Sequence, residues 1–227
     1  MKITYYGHSS LLLEEGGVRV IIDPFISGNP ASGIAPQDIQ VDAVVLTHGH
    51  SDHFGDSIEI AKQNDCPIIA IFELASYCGS QGVKAQGLNI GGSAQFDGFK
   101  VKYTQAFHTS SIEVDGQFRY AGEAAGVIVT MGDKSFYHAG DTALFSDLKL
   151  IGELNKIDAV ALPIGDLFTM GPEEALLAAK WIGAKHVIPV HYNTFPAIAQ
   201  DAEAFCAELE KAGLQGHALK PGDSLTL

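Results

Sequence analysis

The stretch Thr47-His48-Gly49-His50-Ser51-Asp52-His53 constrains this chain more than any other. Three imidazoles and one carboxylate fall within six residues, directly after the apolar run Val41-Asp42-Ala43-Val44-Val45-Leu46, which reads as a buried strand. On an extended chain successive side chains alternate faces, so His48 and His50 can point to one side and share a cation. A helix over Phe54–Lys62 is expected to follow and to carry Asp52 and His53 to an adjacent position. Neutral imidazole suits zinc, iron, nickel and manganese, and a hard carboxylate beside it is common where bound water is activated. A polar loop with incidental histidines is the weaker reading, because a run so dense in ligand types is costly to bury without a metal.

The pattern around this stretch begins as hairpins and turns into alternation. Lys2–Tyr6, Ser9–Glu14 and Val18–Asp23 read as consecutive strands, the last two joined across Glu15-Gly16-Gly17. Asp23 stands at a strand end before Pro24, where a carboxylate can orient a histidine through its distal ring nitrogen; ordinary turn chemistry is the alternative. Strand, helix and strand then recur: Pro67–Ile71, a short helix Glu73–Cys78, strands Gln95–Gln105, Ala125–Thr130 and Lys134–Ala139. Apolar runs Asp158–Pro163 and His186–Val190 flank a helix Pro172–Ile182, and a helix Ile198–Ala212 and a strand near Ser224–Leu227 complete the chain. Such an order points to two sheets packed face to face with helices outside. His138 and His186 read as ordinary hydrogen-bonded residues. Phe168, Met170 and Phe195 fit either core or a pocket wall.

His48-x-His50-x-Asp52-His53 after an apolar strand resembles the metal-binding motif of the metallo-β-lactamase superfamily. The chain supplies that family's other pieces in order: His108 in Ala106-Phe107-His108-Thr109, Asp141 in His138-Ala139-Gly140-Asp141-Thr142, and His191 in Pro189-Val190-His191-Tyr192. Gly7-His8-Ser9, Ile22-Asp23-Pro24-Phe25, Phe168-Thr169-Met170-Gly171-Pro172 and His191-Tyr192-Asn193-Thr194-Phe195-Pro196 further resemble a bacterial and archaeal family of metal-dependent hydrolases, similar to the ascorbate-6-phosphate lactonase branch. The resemblance spans nearly the whole chain. It implies the α/β fold of an αββα sandwich, two mixed β-sheets packed face to face with helices on the outer faces.

It also implies two divalent cations, Zn2+ first and Mn2+, Ni2+ or Fe2+ as alternatives. His48, His50 and His108 are to hold one, Asp52, His53 and His191 the other, and Asp141 is to bridge them. Such a pair lowers the pKa of bound water toward about 7, so an ester, lactone or phosphoester can be hydrolysed without a protein nucleophile. Asp52 and Asp141 are then the catalytic carboxylates, with Asp52 orienting the attacking water. His8 is a substrate contact or a structural turn residue on this reading. An iron-dependent oxidoreductase and a nuclease or phosphodiesterase of the same fold are the alternatives. A glutamate at the place of His50 would have favoured the oxidoreductase.

Composition bears on partners. The 227 residues include 46% hydrophobic ones, enough for a sizeable core, so a single domain over residues 1–227 is expected. The formal net charge of −13 repels phosphate backbones and anionic headgroups, which disfavours nucleic acid and membrane surfaces and leaves a small molecule as the expected substrate. A homo-oligomer is compatible with the sequence. Cys66, Cys78 and Cys206 read as reduced packing residues. Without a leader-like start or an apolar run of about 18 residues, a cytoplasmic location is expected.

Overall fold

Two seven-stranded mixed sheets face each other in the computed structural model, which describes every residue from Met1 to Leu227. In spatial order the first consists of Ser224–Thr226, Lys2–Tyr5, Leu11–Glu15, Val18–Ile22, Ala43–Val45, Ile68–Ile71 and Ala85–Leu88. The second runs Gln215–Gly216, His186–Val190, Ala159–Pro163, Lys134–His138, Ala125–Met131, Phe99–Gln105 and Ser93–Phe96. Each sheet is antiparallel at one end, where hairpins join neighbours, and parallel at the other, where helices make the crossovers.

Alternation along the strands fills the space between the sheets. Ile3, Tyr5, Leu11, Leu13, Val20, Ile22, Val45 and Ile69 project from the first sheet to meet Val101, Tyr103, Val127, Val129, Phe136 and Ile188 from the second, all buried. The opposite faces are covered by helices. Ser57–Asn64 and Phe72–Ser80 seat Ile60, Leu74 and Cys78 on Val44, Ile68 and Ala70 of the first sheet. Leu148–Leu154, Pro172–Ile182 and Ala202–Lys211 cover Ile128, Tyr137, Val160 and Val187 of the second. Helix, sheet, sheet, helix is the layering expected. All three cysteines are buried and unpaired, and burial pushes their thiols up to about 11 or 12.

Several boundaries differ from the expectation, each for a local reason. The helix expected over Phe54–Lys62 is broken at Gly55, whose combination of φ 42° and ψ −125° disfavours any side chain, and a Cβ there would stand 2.4 Å from the carbonyl of Pro24. Asp52 and His53 therefore sit inside a separate helical turn, Ser51–Phe54, and the helix proper resumes at Ser57. The expected strand Gln95–Gln105 folds back at Asp97-Gly98 into a hairpin of Ser93–Phe96 and Phe99–Gln105. The helix expected from Ile198 begins at Ala202, where Asp201 caps it by accepting the Ala204 N–H at 2.9 Å. Ala85–Leu88, the helix Leu148–Leu154 and the hairpin Ser111–Val114/Gln117–Tyr120 were not anticipated. No helix is long and apolar enough to cross a membrane.

Candidate metal centre

Every histidine and aspartate singled out for metal binding arrives at one edge of the two sheets. His48 and His50 follow Ala43–Val45, His108 follows Phe99–Gln105, Asp141 follows Lys134–His138, and His191 follows His186–Val190. Backbone hydrogen bonds lace these loops together. Ala125 N–H donates to Thr47 O at 3.1 Å, Ala143 N–H to Phe107 O at 3.1 Å, Met170 N–H to Thr142 O at 3.0 Å, and His191 N–H to His8 O at 2.8 Å. From between the sheets the Tyr103 hydroxyl reaches Leu46 O and Ile69 O, each at 2.9 Å, fixing the strand ends from which the histidine loop departs. Gly140 must be glycine: it has φ 65°, and a Cβ would lie 2.6 Å from Ala125 O.

The side chains gather in two groups that meet at Asp141. His48, His50 and His108 place ligating atoms within 4.8 Å of one another, as do His8, Asp52, His53 and His191. A third such group, His48, His53 and Asp141, links the two. Asp141 Oδ2 lies 3.0 Å from His191 Nε2 and 3.6 Å from His108 Nε2, while Oδ1 lies 3.3 Å from His53 Nε2 without an aligned hydrogen bond. Asp52 Oδ2 is 3.1 Å from His8 Nε2 and 3.6 Å from His191 Nε2. His48 Nε2 and His50 Nδ1 face each other at 3.0 Å.

Hydrogen bonds on the far side decide which nitrogens turn inward. Asp23, fully buried, accepts the Thr47 N–H on Oδ1 at 2.8 Å and the Thr47 hydroxyl on Oδ2 at 2.6 Å. The same Oδ2 lies 2.7 Å from His53 Nδ1, and an ionised carboxylate can only accept, so that nitrogen carries the proton and Nε2 offers its lone pair to the centre. With its own proton committed to Asp23, the Thr47 oxygen accepts from His48 Nδ1 at 3.0 Å, which turns the His48 Nε2 lone pair inward too. One aspartate thus sets two tautomers.

His8 is buried and has φ 55°. Its Nδ1 lies 2.8 Å from Thr194 Oγ1 and its Nε2 lies 3.1 Å from Asp52 Oδ2, so both ring nitrogens already have partners. His138 accepts the Gly140 N–H on Nδ1 at 3.0 Å and donates from Nε2 to Ser9 O at 2.9 Å, pinning the Asp141 loop to the first sheet. Met170 is core, whereas Phe168 and Phe195 are exposed. Thr47 and Thr194 were not singled out from sequence. Adjacency of Thr47 to His48 was the only signal for the first, and nothing in the sequence brings Thr194 to His8.

Charge separates the histidines. Burial and the neighbouring imidazoles lower the pKa values of His48, His50 and His108. Burial opposes charge on His53 and His191 as well, but Asp141 and Asp23 raise His53 well above the usual range, and Asp141 and Asp52 push His191 up to about 9. Asp141 and Asp52 are held far below the carboxylate range despite burial, chiefly by His191 and His53 for the first and His191 and His8 for the second. The buried His53 Nε2 and Asp141 Oδ1 have no hydrogen-bond partner, although the fold orients both toward the shared space. Orphaned donor atoms, fixed tautomers and a mixed imidazole and carboxylate set fit divalent-cation binding.

Beside His50 and Asp52 opens a cavity of about 430 Å³. A wider, more open groove between Tyr192 and Lys220 contains none of these ligating side chains.

The family profile described as "Beta-lactamase superfamily domain" matches residues 2–191. A UPF0173 metal-dependent hydrolase of Bacillus thuringiensis subsp. konkukian is 53% identical over 229 residues, covering all of both chains. Among solved structures, a metallo hydrolase from the hyperthermophilic archaeon Ignicoccus hospitalis shares 38% identity at a TM-score of 0.90, over 99% of this chain and 97% of that one. An isothiocyanate hydrolase from Delia radicum gut bacteria shares the fold, with a TM-score of 0.75 at 23% identity over 100% and 99% of the two chains.

Proposed function

We propose, for a chain that belongs to the metallo-β-lactamase superfamily and within it to the UPF0173 metal-dependent hydrolases, hydrolysis of an ester, lactone or phosphoester of a small molecule at a two-cation centre. The observation that carries this reading is the convergence of seven side chains from four loops into two ligand groups sharing Asp141. His48, His50 and His108 would hold one cation, Asp52, His53 and His191 the other, with Asp141 between them. Zn2+ suits this donor set best. When bound, such a pair supplies an acidified water and polarises the bond to be broken.

The remaining work falls to the chain. Asp52 is partly open to the cavity and stays ionised, so it accepts a hydrogen bond from the attacking water and orients it. His8 and Thr194 keep that carboxylate from rotating. Asp23, Thr47 and His138 hold ligands and loops to the tolerance of about 0.5 Å that catalysis requires. The cavity beside His50 gives a substrate room next to Asp52, and no cysteine belongs to the ligand groups.

The test is metal analysis of protein purified without a metal-affinity step, joined to a screen of lactones, thioesters and phosphodiesters. About two equivalents of metal, activity lost with chelator and restored by Zn2+, is the expected result. A metal-free protein with full turnover overturns the reading, and redox-active iron with no hydrolysis favours the oxidoreductase alternative.

A further inference from the structure

The hairpin Ser111–Val114/Gln117–Tyr120 belongs to neither main sheet, yet it is anchored on the histidine loop. Gly49 N–H donates to Ser110 Oγ at 3.2 Å, and that hydroxyl donates to Ala121 O at 3.3 Å across the base of the hairpin. A Cβ at Gly49 would stand 2.9 Å from Ala121 Cβ and 3.0 Å from Ser111 O, so glycine at this place lets the hairpin lean against the ligand loop. The outcome is a wall rising over His50. Asp115-Gly116, both at positive φ, closes its tip in the two-residue turn that suits hairpin twist.

This wall completes the cavity at the metal centre. His50 and Asp52 form its floor, Phe54, Tyr77 and Ile112 its apolar side, and Phe118 its lip. Phe118 is 79% exposed, directly across from Glu113 in the hairpin register. An aromatic ring held in water on a braced hairpin beside a catalytic floor is surface that a ligand would cover. About 430 Å³ lies within the range of small-molecule sites. No lysine or arginine lines the cavity, while Glu113 and Asp52 both do.

We propose that this cavity is the acyl-binding subsite and that the substrate is an uncharged ester, lactone or thioester whose apolar acyl group lies against Phe54, Tyr77, Ile112 and Phe118. The assignment rests on the hydrolase reading above and narrows it. Water oxygen bonds to the acyl carbon, the acyl–oxygen or acyl–sulfur bond breaks, and the water proton passes to the leaving group; no further reactant is required. Glu113 at the rim rejects acyl chains that end in an anion.

Two measurements on metal-loaded protein test this together. Calorimetric binding of n-alkanamides from four to ten carbons reads the subsite without turnover, and affinity is expected to rise about fourfold per methylene until the cavity is full. Phe118→Ala should flatten that series, and Gly49→Ala, which displaces the hairpin, should flatten it further. Nitrophenyl esters of the same lengths should show the same gradation in kcat/KM. The monoester of an eight-carbon diacid should react at least about tenfold more slowly than the octanoate, with Glu113→Gln recovering part of the difference for the diacid alone.

Graded amide binding with no ester, lactone, thioester or phosphoester turnover would sink the hydrolase reading and leave the apolar subsite standing. Turnover with neither gradation, or with gradation untouched by Phe118→Ala, overturns the subsite and leaves the hydrolase reading. A diacid monoester that reacts as fast as the octanoate overturns the charge selection.

Discussion

His53 and His191 are buried to within 2% of their side-chain surface, whereas His50 and His108 are only half-buried. Behind the deep group stands a set of fixed partners: Asp23 on His53, His8 and Thr194 on Asp52, and a backbone bond from His191 N–H to His8 O. Behind the shallow group only His48 is comparably held, through Thr47; His50 Nε2 has Thr109 Oγ1 at a long 3.5 Å, and His108 has Asp141 alone. The difference teaches a division of labour. On the proposed reading the braced side chains would retain a cation, while His50, which lines the cavity without such bracing, would adjust to what enters.

Asp141 touches both groups, so its removal should have the largest effect. Asp141→Ala is expected to bind about one metal where the parent binds two and to lose activity by at least about 100-fold even at saturating metal, since two cations about 3.5 to 4 Å apart need an anion between them. Metal stoichiometry with circular dichroism checks this. Two equivalents retained with normal turnover would remove Asp141 from the bridge, and loss of the fold would make its role structural.

Asp23→Asn attacks the deep group from behind. Metal affinity is expected to fall by roughly 10- to 100-fold, because an amide no longer fixes the His53 tautomer and loses its hold on Thr47. A competition titration with a chromophoric chelator measures it. If the more weakly held of the two equivalents is the one that loosens, the contrast between deep and shallow groups is reversed.

Acidity probes the same contrast. In the metal-free protein Asp141 and Asp52 push His191 up to about 9 and Asp141 and Asp23 raise His53, while burial lowers His48, His50 and His108. Cations bind neutral imidazole, so loading the deep group near pH 7 should release protons and loading the shallow group should not. Apparent affinity of the deep site is expected to fall about tenfold per pH unit for each proton released. Titrations in buffers of different ionisation heat count those protons, and none released contradicts the assignment. The sign for folding is opposite: the raised His191 stabilises metal-free protein fully below about 6.5, and that contribution is lost as pH rises through about 9.

His8→Asn should give the smallest effect. Asparagine tolerates the positive φ at this position, so the turn survives, but its amide cannot span from Thr194 to Asp52. Metal content is expected to stay at two equivalents while kcat falls by about threefold to tenfold and KM holds. A raised KM with kcat unchanged would show that His8 meets the substrate after all.

Much of this centre was legible in the chain, for identifiable reasons. Ligands clustered as His48-x-His50-x-Asp52-His53 declare themselves through chemistry that no packing role explains, and apolar strands of five to seven residues before His108, Asp141 and His191 place each at a strand end. The hairpin beside His50 was not seen because Gln117–Tyr120 is exposed throughout and carries no alternation, although Asp115-Gly116 announced its turn. Gly55 was likewise read as part of a helix, because its need for a positive φ comes from Pro24, which is distant in sequence.

The sequence by itself determined the layered fold and the family and named the candidate donor residues, because residue type and periodicity are local properties. Only the tertiary structure decided that Asp23 reaches His53 and Thr47, that Thr194 reaches His8 across 186 positions, and that a hairpin closes one side of the centre. Those contacts are made by strand order and register, which bring together residues that no spacing along the chain relates.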